Sequence, residues 1–220
     1  MINKVINFVE DTVSDVQDGA VILASGFGNA GAPNCLLEAL METNAKYLTI
    51  VANNAGESDY GLAALINSGK VSKVICSYPI SSGSTIFQKL YNTKKIDLEL
   101  VPQGTLSERL RAAGAGIGGF YTRTSVGSLL ATNKEKRQFN NIEYVLEYGL
   151  KGDFALIRGK TADRWGNIIY DKSARNFGPI MATAATTTIA QVEQIVKLGE
   201  IDPEFIVTPG IYVDKVYLKK

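Results

Sequence analysis

Near-continuous apolar runs at Val21 to Ala24, Leu48 to Ala52 and Phe154 to Ile157 recur between segments of helical periodicity, which predicts strands buried on both faces. Val71 to Ile75 and Ile96 to Val101 also read as strands, and their polar interruptions place them nearer a sheet edge. Helices are predicted over Ile6 to Val16, Pro33 to Thr43, Gly61 to Asn67, Thr85 to Tyr91 and Thr105 to Ala113, with Pro33 near a helix start, where proline is tolerated. Such alternation implies an α/β fold: an open, mostly parallel sheet flanked by helices, with the site in the loops at the carboxyl ends of the strands. After Lys134 the pattern changes. Arg137 to Leu146, rich in Tyr, Phe and Val around Asn140-Asn141, predicts an additional β-hairpin region toward the C-terminal third. Without a linker, repeat or low-complexity segment, residues 1–220 are expected to form a single domain.

Charge narrows the functional classes. With 23 basic and 22 acidic residues the chain carries no electrostatic footprint for nucleic acid or an anionic membrane. No apolar run approaches the roughly 20 residues of a spanning helix. The N-terminal stretch MINKVINFVEDTVSDV is acidic and interrupted, so neither an anchor nor a signal peptide is expected, and the cytoplasm is the expected location. Cys35 in a helix and Cys76 at a strand end read as buried, reduced thiols. Histidine is absent altogether, which removes the commonest general base and metal ligand, and neither a Ser-His-Asp nor a zinc site can be assembled from these residues.

Two glycine loops carry the candidate chemistry. Gly26-Phe27-Gly28-Asn29-Ala30-Gly31 matches the dinucleotide fingerprint between a strand and a helix, so a nicotinamide-dependent oxidoreductase is one alternative. The acidic residue that would hold the ribose is missing, since the next strand ends in Asn53-Asn54 and Glu57 comes late. The same loop physics suits a phosphate, a carboxylate or the oxyanion of a thioester adduct. In the second loop, Gly114 is expected to cap a helix in a left-handed conformation. Gly116, Gly118 and Gly119 are expected to let the backbone approach a ligand or a facing chain. A small-ligand (sugar-phosphate-like) binding module is the non-enzyme alternative.

From Ile96 to Thr122 the chain reads IDLELVPQGTLSERLRAAGAGIGGFYT, with Gln103 on the turn after Pro102, where its amide is an unlikely core group. This block resembles the A (alpha) chain type of family I CoA-transferases of the 3-oxoacid and short-chain fatty-acid group. So do Gly26-Phe27-Gly28 with Gly31 and Pro33, Asn53-Asn54-Ala55-Gly56 with Gly61-Leu62, Ala174-Arg175-Asn176-Phe177 with Pro179, and Pro209-Gly210-Ile211-Tyr212-Val213, in the same order.

The resemblance implies a coenzyme A thioester as substrate, no permanently bound cofactor, and a B (beta) subunit in an A2B2 heterotetramer. It also implies a double displacement in which a glutamate of that partner becomes a glutamyl-CoA thioester. No catalytic residue is then expected in this chain, although Glu38, Glu57 and Glu108 are weighed for the role; Glu108 is at helical spacing from Arg111 for a surface pair. Ser25, Gly26, Phe27, Gly28, Asn29, Ala30 and Gly31 are expected at the CoA and acyl region. Gln103 is expected to donate its amide to an acyl carboxylate or oxyanion, with Asn53 in the same pocket and Gly116, Gly118 and Gly119 adding backbone N–H groups.

The chain departs from relatives at Arg123, a usual proline; at Ser125 and Ser25, usual glycines; at Asn34, where several have Glu or Ser; and at Gly178, a usual asparagine. Asp163-Arg164-Trp165-Gly166-Asn167 reads as a structural turn, and Arg175 as a buried ion-pair or subunit-interface residue.

Overall fold

The computed structural model describes residues 2–57, 59–80 and 84–219. The chain enters through β1 (Val5–Ile6) and the single turn α1 (Val9–Thr12), then runs β2 (Val21–Ala24), α2 (Asn34–Glu42), β3 (Leu48–Asn54), α3 (Leu62–Asn67) and β4 (Val71–Tyr78). Next come α4 (Ile86–Asn92), β5 (Asp97–Leu100), α5 (Gln103–Gly114), β6 (Gly119–Thr122), β7 (Lys136–Phe139) and β8 (Ile142–Tyr148). The remainder is β9 (Gly152–Arg158), β10 (Thr161–Asp163), β11 (Ile168–Ile169), α6 (Gly178–Ala184), β12 (Ala185–Val192), β13 (Gln194–Val196) and β14 (Lys215–Leu218).

Eight strands form one sheet in the order β1-β14-β12-β9-β2-β3-β4-β5, and every neighbouring pair is parallel. Because successive strand side chains point to opposite faces, β2 and β3 feed two cores. Ile22, Ala24, Ile50 and Ala52 pack with Leu36, Leu40, Leu65 and Phe87 of α2, α3 and α4. Leu23 and Val51 pack with Leu106, Leu110, Met181 and Ala182 of α5 and α6 on the other face. The chain proceeds outward in one direction from β2 and in the other from β9. The loop after β2 therefore leaves the sheet at the reversal of strand order, where open α/β sheets form their ligand crevice.

Several expectations change. The predicted helix from Ile6 to Val16 shrinks to Val9–Thr12, because Val5 and Ile6 instead pair with Val216 and Tyr217, partners that local periodicity cannot reveal. Gln103 is the first residue of α5 rather than part of the preceding turn, with Pro102 at the N-cap. The hairpin forms as β7 and β8, and Asn140 (φ 50°) and Asn141 (φ 61°) take the paired left-handed conformations of a tight hairpin turn. β6 pairs antiparallel with β8 to make a three-stranded sheet. A further small sheet, β11-β10-β13, and the strands β12 and β14 of the main sheet lie outside the predicted set. β12 was hidden by Thr186, Thr187, Thr188 and Gln191, of which Thr188 and Gln191 are buried polar residues.

Gly114 does not cap α5: it is the last helical residue, and a Cβ there would lie 2.4 Å from Thr183 Oγ1, just inside the end of α6. The left-handed residue is Gly116 (φ 71°). Its N–H donates to Ala113 O (3.1 Å) while Ile117 N–H donates to Ala112 O (2.8 Å), closing the helix in a Schellman arrangement.

Among the described residues no helix is long and apolar enough to cross a membrane. Cys35 and Cys76 are free thiols, Cys35 half-buried and Cys76 buried. Burial pushes the Cys76 thiol up to about 12, and burial followed by the Glu38 carboxylate raises that of Cys35. Neither is a ready nucleophile near neutral pH.

Candidate functional site

At the carboxyl end of β3, Asn53 is 4% exposed and its side chain turns to the α5 face, as Val51 does two residues earlier. Gln103 Nε2 donates to Asn53 Oδ1 over 2.7 Å. Ser77, beside Asn53 on β4, donates its hydroxyl to the same oxygen over 2.8 Å and to Asn53 O over 2.9 Å. With its oxygen taken twice, the amide orientation of Asn53 is set, and its Nδ2 has no acceptor among the described residues. Gln103 is exposed, and Asn53 makes the floor beneath it. No side chain caps α5, so the first-turn N–H groups of the exposed Gln103 and Gly104 also stand at this helix start.

α5 is held there by charge. Glu99 on β5 accepts from Lys73 Nζ at 2.6 Å and from Arg109 Nη1 at 2.8 Å, and Arg109 Nε also donates to Tyr148 O. Burial alone would raise the Glu99 carboxyl, but the hydrogen bonds and charges of Arg109 and Lys73 outweigh it and hold the pKa below the usual carboxylate value.

The Ser25–Gly31 loop leaves the adjacent strand at the same edge. Leu23 is in register with Val51, so Ser25 and Asn53 each stand two residues past a paired position. The loop is tied at its base: Ser25 Oγ donates to Gly31 O (2.9 Å) and accepts from Arg158 N–H (3.2 Å), which gives the serine at this usual glycine position a job. Phe27 and Ala30 exchange backbone hydrogen bonds, and Gly26 N–H donates to Asn176 Oδ1 at 3.0 Å. Phe27 is exposed, and the N–H groups of Gly28 and Asn29 at the tip have no acceptor among the described residues. Asn54, pointing to the other face of the sheet from Asn53, lines a narrow crevice under this loop with Gly56 and Glu57.

That crevice disfavours a dinucleotide. Glu57 Oε1 lies 2.5 Å from where a Cβ on Gly28 would be, so a carboxylate lies against the glycine that should face a pyrophosphate. The Cys35 N–H in the first turn of α2 is already satisfied by Oε1 of Gln191, 2% exposed, at 2.9 Å.

The second glycine loop is not brought to Gln103. Gly116, Gly118 and Gly119 lie past the opposite end of α5, whose 12 residues span about 18 Å at 1.5 Å per residue. Gly116 N–H is used in the helix cap and Gly119 enters the ladder opposite Tyr148.

Glu108 pairs with Arg111 at 2.7 Å on the exposed face of α5, and Glu38 is exposed on α2. Arg175 is exposed at the end of its turn and joins no ion pair among the described residues, so it is not the buried ion-pair residue expected from the sequence. Ser125 holds φ 70°, a left-handed geometry that accounts for glycine in relatives, and Arg123 is exposed. Gly178 leaves room for the Tyr170 ring, 2.8 Å from where its Cβ would be. Asp163 organises its turn by accepting from Trp165 N–H, Asn167 N–H and Asn167 Nδ2. The sequence pointed to no role for Ser77 or Asn176; their signal was in place, beside Asn53 across the strand pair and within the Arg-Asn-Phe segment.

The family model for coenzyme A transferase matches residues 6–219. The chain belongs to the coenzyme A transferase family. The A chain of 3-oxoadipate CoA-transferase from Pseudomonas putida is 54% identical over 216 residues, covering 98% of this chain and 94% of that one. The A chain of the probable succinyl-CoA:3-ketoacid coenzyme A transferase of Bacillus subtilis is 45% identical over 98% of this chain and 90% of its own. Among solved structures, an acyl-CoA transferase from E. coli O157:H7 in thioester complex with CoA superposes with a TM-score of 0.89 at 23% identity. That match covers 99% of this chain and 50% of the other, and at this identity it shows the fold alone. This CoA-transferase chain is thus of the A type, one part of a two-subunit enzyme that transfers CoA, and the nicotinamide reading is not favoured.

Proposed function

We propose that the chain supplies half of a composite site moving CoA between a short-chain 3-oxoacyl thioester and a carboxylic acid, with the attacking glutamate on a B subunit. Coenzyme A enters as the thioester substrate and no cofactor stays bound. The Asn53–Gln103 amide pair at the uncapped start of α5 carries the reading: converging neutral donors suit a carboxylate or an oxyanion, and neither residue is a nucleophile. The loop tip at Gly28 and Asn29, with the exposed Phe27 ring, is proposed to meet the CoA and acyl region at its uncharged thioester end, since the Glu57 carboxylate beside Gly28 disfavours the CoA pyrophosphate there as it does a dinucleotide's. The P. putida relative is named for 3-oxoadipate, and a dicarboxylic 3-oxoacid is the substrate proposed for this chain.

In the double displacement, the partner's carboxylate oxygen attacks the thioester carbonyl and CoA leaves as thiolate, giving an acyl-glutamyl anhydride. The thiolate attacks the glutamyl carbonyl, releasing the first acid and forming the glutamyl-CoA thioester. The second acid then reverses both steps. Neither a metal nor histidine is required, and the role of this chain is to orient the acyl carboxylate and stabilise the oxyanions. An A2B2 assembly in the cytoplasm is proposed. The test is CoA transfer from succinyl-CoA to 3-oxoadipate by the co-purified pair; no transfer to any 3-oxoacid would end the proposal.

A further inference from the structure

Asn176 stands between β11 and α6, 150 positions from Gly26, yet its amide closes both ends of the glycine loop. Oδ1 accepts from Gly26 N–H at 3.0 Å and from Phe177 N–H at 2.7 Å. Nδ2 donates to Ala30 O at 2.9 Å and to Ala174 O at 3.0 Å. Both ends of the amide are engaged, so only one orientation satisfies them: reversing it would set donor against donor and oxygen against oxygen. The fit extends to the backbone. Asn176 holds φ 23°, ψ −117°, outside the regions open to a residue with a Cβ. A Cβ on Gly31 would lie 2.2 Å from Ala174 O and 2.6 Å from Asn176 Nδ2, so loop and clamp are in direct contact.

We infer that Asn176 is a positioning residue for CoA transfer: it clamps the Ser25–Gly31 loop so that the free N–H groups of Gly28 and Asn29 are fixed before substrate arrives. The functional half of this inference rests on the proposed reading of that loop as the CoA and acyl region. Donors to an oxyanion are effective when pre-organised, and a displacement of about 1 Å can cost on the order of 100-fold in rate. The strained backbone at Asn176 is then retained because the side chain must sit there.

The experiment uses Asn176→Gly in the full chain, since glycine removes the amide while relieving the φ strain. Hydrogen exchange across residues 25–31 should quicken by roughly tenfold or more, consistent with local opening, with β3 and β9 unchanged. In the reconstituted pair, kcat should fall by about 10- to 100-fold while KM for the acyl-CoA moves less than about threefold, the split expected of lost orientation rather than lost binding. Should the glycine variant prove unstable, Asn176→Asp keeps the shape and the two acceptor contacts but sets a carboxylate oxygen against Ala30 O and Ala174 O, and should shift both readouts in the same direction. Unchanged loop exchange would overturn the clamp, and faster exchange with an unchanged kcat would overturn its role in transfer. A wild-type pair without CoA transfer would count against the proposed function, and the exchange readout would still decide the clamp.

Discussion

Gln103 Nε2 lies 2.7 Å from Asn53 Oδ1, a bond that joins the first turn of α5 to the carboxyl end of β3 across 50 positions of sequence. It places an exposed amide on a buried one, so the exposed group is held in a set geometry at the proposed substrate site. Gln103→Ala is expected to lower kcat of the assembled pair by about 100- to 1000-fold, as loss of one oxyanion donor does. Assembly, followed by gel filtration, should be unchanged, and a rate within about threefold of wild type would remove Gln103 from the mechanism.

Asn53 and Gln103 should behave as one unit. In a double-mutant cycle, Asn53→Ala and Gln103→Ala together are expected to cost less than the sum of the single losses. Ser77→Ala, which frees the Asn53 amide to rotate, should lower kcat by roughly tenfold, the order of one net hydrogen bond. Ser77→Thr, retaining the hydroxyl, should restore most of it. Strict additivity would mean that the 2.7 Å bond does not organise the site.

Glu99 ties α5 to the sheet edge, and its lowered pKa makes the contribution depend on pH. The folded pKa lies below the unfolded value of about 4.3, so the stabilisation is fully present above that value and is lost as pH falls through the folded pKa. Glu99→Gln should therefore lower the melting temperature at about pH 7, with the difference from wild type closing below about pH 4. The carboxylate is 35% exposed, so solvent screening keeps the effect modest. A gap that widened on acidification would contradict this assignment.

The two glycine loops should separate by phenotype. Gly116→Ala meets open space but a positive φ, and is expected to cost about 1 kcal/mol of stability with an unaltered rate. Gly31→Ala forces a Cβ to 2.2 Å from Ala174 O and should impair folding or transfer severely. Thermal melts and assays of both variants would distinguish them; a large loss of rate at Gly116 would return the second loop to the site.

The alternation of buried runs and helical segments made the first half of the sheet legible, and Asn140-Asn141 marked the hairpin turn through residues that tolerate left-handed backbone. Asn53 was legible as a polar group at a strand end, and Gln103 as an amide unlikely to join the core after Pro102. What local pattern could not carry was pairing at a distance. β1 needs β14, β12 hides its burial behind threonines, and the clamp on the first glycine loop comes from Asn176. The second glycine cluster is ambiguous for a related reason, since a helix cap and a ligand loop draw on the same left-handed freedom and local pattern does not tell them apart.

As proposed, this chain holds the acyl group for a nucleophile that it does not carry. CoA transfer between succinyl-CoA and a 3-oxoacid decides the matter when assayed with this chain alone, with its candidate B subunit by itself and with the co-purified pair. Trapping with borohydride, which reduces a glutamyl thioester, would be followed by mass analysis of each chain. Activity only in the pair, with the modified glutamate on the B subunit, is the predicted result; transfer by this chain alone, or a modified Glu38, Glu57 or Glu108, would contradict it.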